Sequence, residues 1–308
     1  PIEFLFSTPA GKLITDGSGA VVGVTGTCQD GTVYTVNAKK AVIIATGGFS
    51  GNTELLLAHD DEWGFASLGV ASLPTTNNYG HTGDGLLMAM EVGGAFMDSM
   101  PNYMILPFAN AVDQSVESIV GDSGNSLLVN KEGKRFVDES KSRNEISKAQ
   151  MEQTDQMCYL ISDANNSGVV DGYNMFGTDV QQMLDNNKLY RADTLDDLAA
   201  LIDMDAEALK ATVATYNDYA AKGVDPDFNR TMFTETSPVV EGPFYANPCH
   251  WAMHITNAGL AVDFETNQVI DDGGRPISNL YAVGEVVPTG GGIDVMSYGI
   301  ALADQLTA

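Results

Sequence analysis

Apolar residues run almost unbroken through AVIIATGG at 41–48 and LYAVGE at 280–285, and each run passes straight into glycine. Each reads as a buried strand, the two lying more than two hundred positions apart. A strand that ends in small residues lets backbone approach a large cofactor closely, and a helix start after the glycines offers N–H donors. Upstream, IEFLF (2–6), AVVGVT (20–25) and TVYTV (32–36) are short β-rich runs separated by DGSG and QDG turns. They predict a small antiparallel meander leading into the strand 41–46. Beyond the HTGDG turn at 81–85, the spacing of Leu86, Met90 and Gly93/Gly94 predicts a helix.

From about residue 110 the pattern changes. SLLVNKEGKRF (126–136) predicts a hairpin around Lys131–Gly133, followed by a helix over 139–152. Thr194 is placed to cap a helix, with Asp197 at the reciprocal position and Leu195, Leu198, Ala199 and Ile202 as its buried stripe. A second helix starts at Asp205, buries Leu209, Val213, Tyr216 and Ala220, and stops at Gly223. The proline and aspartates of VDPDFN then mark a loop, and after Pro248 the chain is β-rich again.

A chain of 308 residues with 44% hydrophobic content holds two domains of ordinary size, each with a real core. No run of about 18 apolar residues occurs, so no membrane-spanning helix is expected. The net charge of −26 argues against nucleic acid and anionic membranes as partners, since phosphate binding needs a cationic face. It also makes each of the five arginines (Arg135, Arg143, Arg191, Arg230, Arg275) conspicuous. Cys28, Cys158 and Cys249 show neither a zinc spacing nor a disulfide framework. His250 and His254 stand four apart, a metal-binding spacing on a helix, but Pro248 and the strand-like pattern around them speak against metal. Position 1 is proline, with no signal-peptide pattern, so the expectation is the remainder of a longer protein. Its targeting segment is outside the chain, which leaves an exported, cell-envelope or cytoplasmic location equally open.

Taken together, AVIIATGG, HTGDG, AMHITNAGLAVD (252–263) and LYAVGEVVPTGGGIDVMSYGIALAD (280–304) resemble the flavoprotein family of fumarate reductases and succinate dehydrogenases. That family includes FAD-dependent C=C reductases of the flavocytochrome c and urocanate reductase type. ATYNDYAAKGVDPDF and GPFYANP are similar to its cap domain. The resemblance implies an α/β fold, a Rossmann-like FAD-binding domain interrupted by an α+β cap. The expected boundaries are 1–110 and 250–308 for the FAD-binding domain and 111–249 for the cap. The family's dinucleotide-binding G-x-G-x-x-G falls before residue 1, so the FAD-binding domain is expected to be incomplete at its N-terminus. This piece alone is then expected to carry little or no FAD.

The resemblance also implies roles for residues. Thr46, Gly47 and Gly48 pass close to FAD, Asp84 meets it, and Glu285 meets its ribityl chain. Backbone N–H groups of Gly299, Ile300 and Ala301 start a helix aimed at the flavin. Arg143 corresponds to the cap arginine that protonates substrate; read from the residues alone, it is a surface arginine pairing with Glu139 or Glu145. Arginine is an awkward acid, with an ordinary pKa above 12, so the role needs a closed site and a relay, for which Asp122 or Glu117 are candidates. Arg135 is expected to be structural. His254 corresponds to a histidine that holds the substrate carboxylate, against the plainer reading of a satisfied core histidine. Three departures follow: Leu106 stands in place of a second carboxylate-binding histidine, Ser118-Ile119 in place of a threonine–glutamate pair, and Met296 in place of a carboxylate-clamping arginine. Without that clamp fumarate is disfavoured, and a larger or less charged enoate or enone is implied, with Tyr298 as a hydroxyl donor. The expected function is FAD-dependent reduction of an activated C=C bond, fed by an electron donor outside this chain (a haem domain, flavin carrier or quinone pool). The alternatives are a 3-ketosteroid-type dehydrogenase and a non-catalytic fragment that binds no FAD.

Overall fold

A computed structural model describes residues 2–78, 80–99, 101–121, 125–288 and 295–307, the side chains of 295–298 excepted. The chain divides into two compact units, Pro1–Met104 with Met253–Ala308, and Ile105–Ala252.

The first unit opens with the meander β1 (Ala10–Thr15), β2 (Val21–Thr27) and β3 (Val33–Asn37), antiparallel in that order. Its first strand is AGKLIT and not the expected IEFLF, whose Ile2, Phe4 and Phe6 are exposed. The DGSG turn explains this: Asp16 Oδ1 accepts from Ser18 N at 2.8 Å and Asp16 N donates to Ala20 O at 3.0 Å. A tight turn pairs the residues immediately before it with those immediately after it. Next come β4 (Val42–Ile44), α1 (Thr53–Ala58), α2 (Asp84–Glu91) and β5 (Phe96–Met97). Helix α2 buries Gly85, Leu86, Met88 and Ala89, and Met90, expected to face inward, is exposed.

The second unit is a mixed helix-and-sheet body. Its strands are β6 (Tyr103–Asn110), β7 (Leu127–Val129), β8 (Met157–Ser162), β9 (Tyr190–Ala192) and β10 (Phe244–Thr256). They pair in the order β6-β10-β8-β7, with β9 also on β10. The expected hairpin at 126–136 is half right. The turn closes, with Asn130 N donating to Lys134 O at 2.9 Å, but β7 pairs instead with β8, Leu128 opposite Leu160. The helices are α3 (Arg143–Met151), α4 (Val180–Asp185), α5 (Leu195–Leu201) and α6 (Ala206–Lys222). Helix α3 starts four residues later than expected, where Ser142 and Glu145 form a reciprocal capping box.

Capping also sets α5 and α6. Thr194 Oγ1 accepts from Asp197 N at 3.1 Å, Asp205 accepts from Glu207 N and Ala208 N, and Gly223 ends α6 at φ 66°. Side chains alternate across the sheet of this unit. Leu127, Val129, Ile161 and Ala246 join Leu198, Leu209, Val213 and Tyr216 of α5 and α6 in one cluster. Leu106, Leu128, Leu160 and Cys249 join Ile146 of α3 in another. Ala220 is only half-buried.

The chain returns to the first unit as β11 (Gly259–Leu260), β12 (Val262–Asp263), β13 (Gln268–Ile270), β14 (Pro276–Ala282) and α7 (Val295–Thr307). Strands order β12-β13-β14-β4, and β14 pairs β4 in parallel with Leu280 opposite Val42 and Ala282 opposite Ile44. The two apolar runs of the sequence therefore lie side by side and reach their glycines at the same end.

Candidate active site

The site of the first unit is built where β4 and β14 end. Val283 N donates to Ile44 O at 3.0 Å, so the pairing continues one step past the strands. Gly47 then turns at φ 74° and Gly284 at φ 86°, backbone angles that side chains with a Cβ rarely adopt. Gly48 is buried, and a Cβ there would collide with Thr256 Oγ1 and Glu285 Oε1. Glu285 accepts from Thr256 N at 3.0 Å and from Thr256 Oγ1 at 3.2 Å, and Phe49 N donates to that hydroxyl at 3.3 Å. Three chain segments are thereby knitted at one point, 47–49, 254–256 and 283–285.

Helix α2 approaches the same place. A Cβ on Gly85 would strike Ile44 and Thr46, so only glycine lets the helix start sit against the end of β4. Asp84, in the first turn of α2, is exposed and accepts from Thr82 Oγ1 at 2.6 Å. His81 lies over Gly47: its ring is 3.4 Å from where a Cβ would sit, and its buried Nδ1 has no hydrogen-bond partner among the described residues. A glycine cradle beside an unsatisfied buried nitrogen and an exposed carboxylate fits a flat, polar-edged cofactor such as FAD. Gly48→Ala should displace Glu285 and Thr256, lowering stability by ~1–3 kcal/mol and lowering the flavin-to-protein ratio of the full-length protein. Denaturant melts and visible absorbance of the purified variant check both.

His254 stands on β10 two residues before Thr256, so both side chains leave the same face of the strand. It is half-buried, and its Nδ1 lies 2.7 Å from Thr76 Oγ1. Helix α7 is described over Val295–Thr307, so Gly299, Ile300 and Ala301 lie at least one turn inside it instead of opening it. The reason is energetic: a lone glycine costs a helix only about 1 kcal/mol, too little to delay its start. Free N–H donors belong to the first turn of a helix, which shifts the expected donors upstream. The side chains of Met296 and Tyr298 lie outside the described residues, as does Asp122.

The five arginines, four of them in the second unit, sort by surroundings. Arg135 and Arg230 are buried in an ion network with Glu139 and Asp225. Glu139 accepts from both Arg135 and Arg230, and Glu145 accepts from Ser142 N and Oγ. Arg143 is exposed at the first residue of α3. Arg191 is exposed on β9, and Arg275, in the first unit, is tied to Asp271 at 2.8 Å. Leu106 is buried among apolar side chains, and Ser118 Oγ meets Ser115 Oγ at 2.8 Å. Glu117 is exposed. Among the described residues no three His, Cys, Asp or Glu side chains gather as a metal site. His250 is bound to the Trp251 carbonyl at 2.6 Å, and burial pushes its imidazole down against that bond.

The family model for an FAD binding domain matches residues 1–298. The chain belongs to that family. The urocanate reductase of Eggerthella lenta is 32% identical over 91% of this chain and 45% of its own length. The NADH:acrylate oxidoreductase of Vibrio harveyi is 31% identical over 94% of this chain and 28% of its own length. Among solved structures, the open conformation of a flavocytochrome c3 fumarate reductase matches with a TM-score of 0.68 and 29% identity, covering 97% of this chain and 50% of that one. A 3-ketosteroid Δ1-dehydrogenase from Sterolibacterium denitrificans shares the fold, with a TM-score of 0.68 at 22% identity, over 97% of this chain and 59% of that one. The FAD-binding-domain chain spans about half or less of the length of the curated relatives it matches. The family resemblance and the FAD-binding fold read from the sequence are both borne out. Thr76, Asn77, His81 and Thr256 join the site without having been singled out in the sequence; Thr76 and Asn77 stand in the polar TTN run at 75–77, His81 opens HTGDG, and Thr256 lies in AMHITNAGLAVD.

Proposed function

We propose that this chain is the flavin- and substrate-binding body of an FAD-dependent oxidoreductase that reduces an activated carbon–carbon double bond, of enoate type and other than fumarate. The carrying observation is the parallel pair β4 and β14, which delivers Gly47–Gly48 and Gly284–Glu285 to one place, with His254 on the same face of β10 as Thr256. Gly47, Gly48, Asp84, Glu285 and the first turn of α7 would hold FAD, which when bound supplies the hydride. His254 donates to the electron-withdrawing group of the substrate and draws charge away from the alkene. Arg143, in the second unit, supplies the proton to the other alkene carbon.

The case against fumarate rests on two positions. Leu106 brings no charge, being buried in an apolar cluster, and Met296 stands on α7 where the family has a cation. A dianion without a bidentate clamp loses charge-assisted hydrogen bonds, whereas a monoacid or enone needs fewer of them. Electrons arrive from a donor outside this chain.

The test is a substrate panel on the full-length, flavin-loaded protein with reduced viologen as electron source. Acrylate, urocanate, cinnamate and an enone are compared with fumarate. At least one of them should oxidise viologen faster than fumarate does. Fumarate as the best substrate, or no turnover of any member by protein that holds its flavin, sinks the reading.

A further inference from the structure

Residues 74–77 run along β10 as though they were one more strand. Thr75 and Met253 form a parallel bridge, Met253 N donates to Pro74 O at 2.8 Å, and Thr76 N donates to Met253 O at 2.9 Å. This pins Thr76 beside His254, 178 positions away in sequence, with Oγ1 at 2.7 Å from Nδ1. Asn77 locks the same place, its Nδ2 donating to His254 O at 2.6 Å and to Ser50 Oγ at 2.8 Å. Ser50 Oγ also accepts from Thr75 Oγ1 at 3.2 Å, and both of these side chains are buried.

The Thr76 hydroxyl has one hydrogen and two acceptors within reach, His254 Nδ1 at 2.7 Å and Met253 O at 3.3 Å. Hydroxyl donors prefer a separation of about 2.7–2.8 Å, which the imidazole contact meets and the carbonyl contact does not. With the hydroxyl hydrogen directed at Nδ1, a neutral ring carries its own hydrogen on Nε2. We propose that Thr76 is a positioning residue that holds His254 as the Nε2–H tautomer, the form that donates a hydrogen bond to a substrate oxygen. The part concerning substrate rests on the reduction reading above, and it narrows the substrate class to compounds activated by a carboxylate or carbonyl oxygen.

The same geometry serves the protonated ring. Nδ1–H then donates to Thr76 Oγ1, and the hydroxyl hydrogen turns to the Met253 carbonyl. Neither charge state leaves a half-buried nitrogen without its partner, which would cost more than the bond is worth. Valine, of similar shape, can do neither.

Nitrogen-15 NMR of histidine-labelled chain tests the first part without flavin. The chain has four histidines, and His254→Gln assigns the signal. His254 should show the Nε2–H signature in wild type and in Thr76→Ser, and lose it in Thr76→Val. An Nδ1–H signature in wild type overturns the proposal even if the valine variant does not fold, and so does an unchanged signature in a folded Thr76→Val. The second arm uses flavin-loaded full-length protein and the best enoate of the panel. Thr76→Val should lower kcat/KM about tenfold at unchanged flavin content, the scale of one hydrogen bond, with Thr76→Ser restoring it. If the NMR arm holds and kcat/KM is unmoved, His254 does not contact substrate: the narrowed substrate class fails while the positioning of His254 by Thr76 stands.

Discussion

Arg143→Ala should reduce turnover of the best enoate by ~10²–10⁴-fold, the contribution of a positioned general acid, with flavin content intact. Stability should change by no more than about 1 kcal/mol, because the start of α3 is held by Ser142 and Glu145 and does not need the arginine. The position itself is informative. Arg143 is the first residue of α3, at the positive end of the helix dipole, where a cation is disfavoured by ~0.3–1 kcal/mol. Arg143→Lys keeps the charge but loses the planar fork and shortens the reach, so it should rescue little of the activity. Single-turnover rates with reduced flavin and a substrate of the panel give the measurement. Near-normal turnover in Arg143→Ala would place the proton donor elsewhere, and Tyr298 is then the residue to replace.

Arg135→Ala should act on stability, destabilising the protein by ~3–5 kcal/mol through the loss of one partner from a buried ion network. The Arg135 side chain is 5% exposed and donates from Nε and Nη2 to Glu139 at 2.8 Å each, and from Nη2 to Asp225 at 2.8 Å. Arg230 completes the set from its own buried position, Nη1 meeting Glu139 at 2.9 Å and Tyr216 Oη at 3.1 Å. Both guanidinium groups lie over the Tyr216 ring, at 5.2 and 5.5 Å from its centroid. Two cations balance two carboxylates, and deleting one cation leaves a buried negative charge uncompensated.

Acid should reveal the same network. Burial pushes the Asp225 carboxyl up, but the Arg135 hydrogen bond and charge, with the N–H groups of Phe228 and Asp227, outweigh it and hold it below its ordinary value. A lowered folded-state value means stability that is complete above the unfolded value of about 3.9 and is lost as pH falls through the folded one. Below pH ~4 the wild type should therefore lose stability more steeply than Arg135→Ala. Urea melts across that range measure both effects. A loss under 1 kcal/mol at neutral pH, or parallel acid limbs, contradicts the assignment.

What could be read from the sequence was whatever is decided within about one turn of the chain. Thr194, Asp205 and Gly223 set helix boundaries through bonds to residues two to four positions away, and the structure has them in those roles. The two apolar runs ending in glycine were legible for a related reason: burial on both faces and close backbone approach each leave a compositional mark in a few consecutive residues. Family likeness added that these runs belong together, and β4 and β14 do pair.

Tertiary structure decided everything that turns on a partner far along the chain. IEFLF has the composition of a strand, but a strand needs a neighbour, and the turn at Asp16 pairs AGKLIT in its place. Val129 looks like one arm of a hairpin, yet its neighbour is Tyr159. Glu139 is four residues from both Arg135 and Arg143, so local spacing cannot choose between them. The buried Arg230, 91 positions on, shows which side of the chain Glu139 faces. Thr76 and His254 come together through backbone bonds between segments with no shared pattern. Such contacts form because burying a polar group without a partner is expensive, and the partner supplied is whichever one the fold brings near. Local propensity carries no record of that choice.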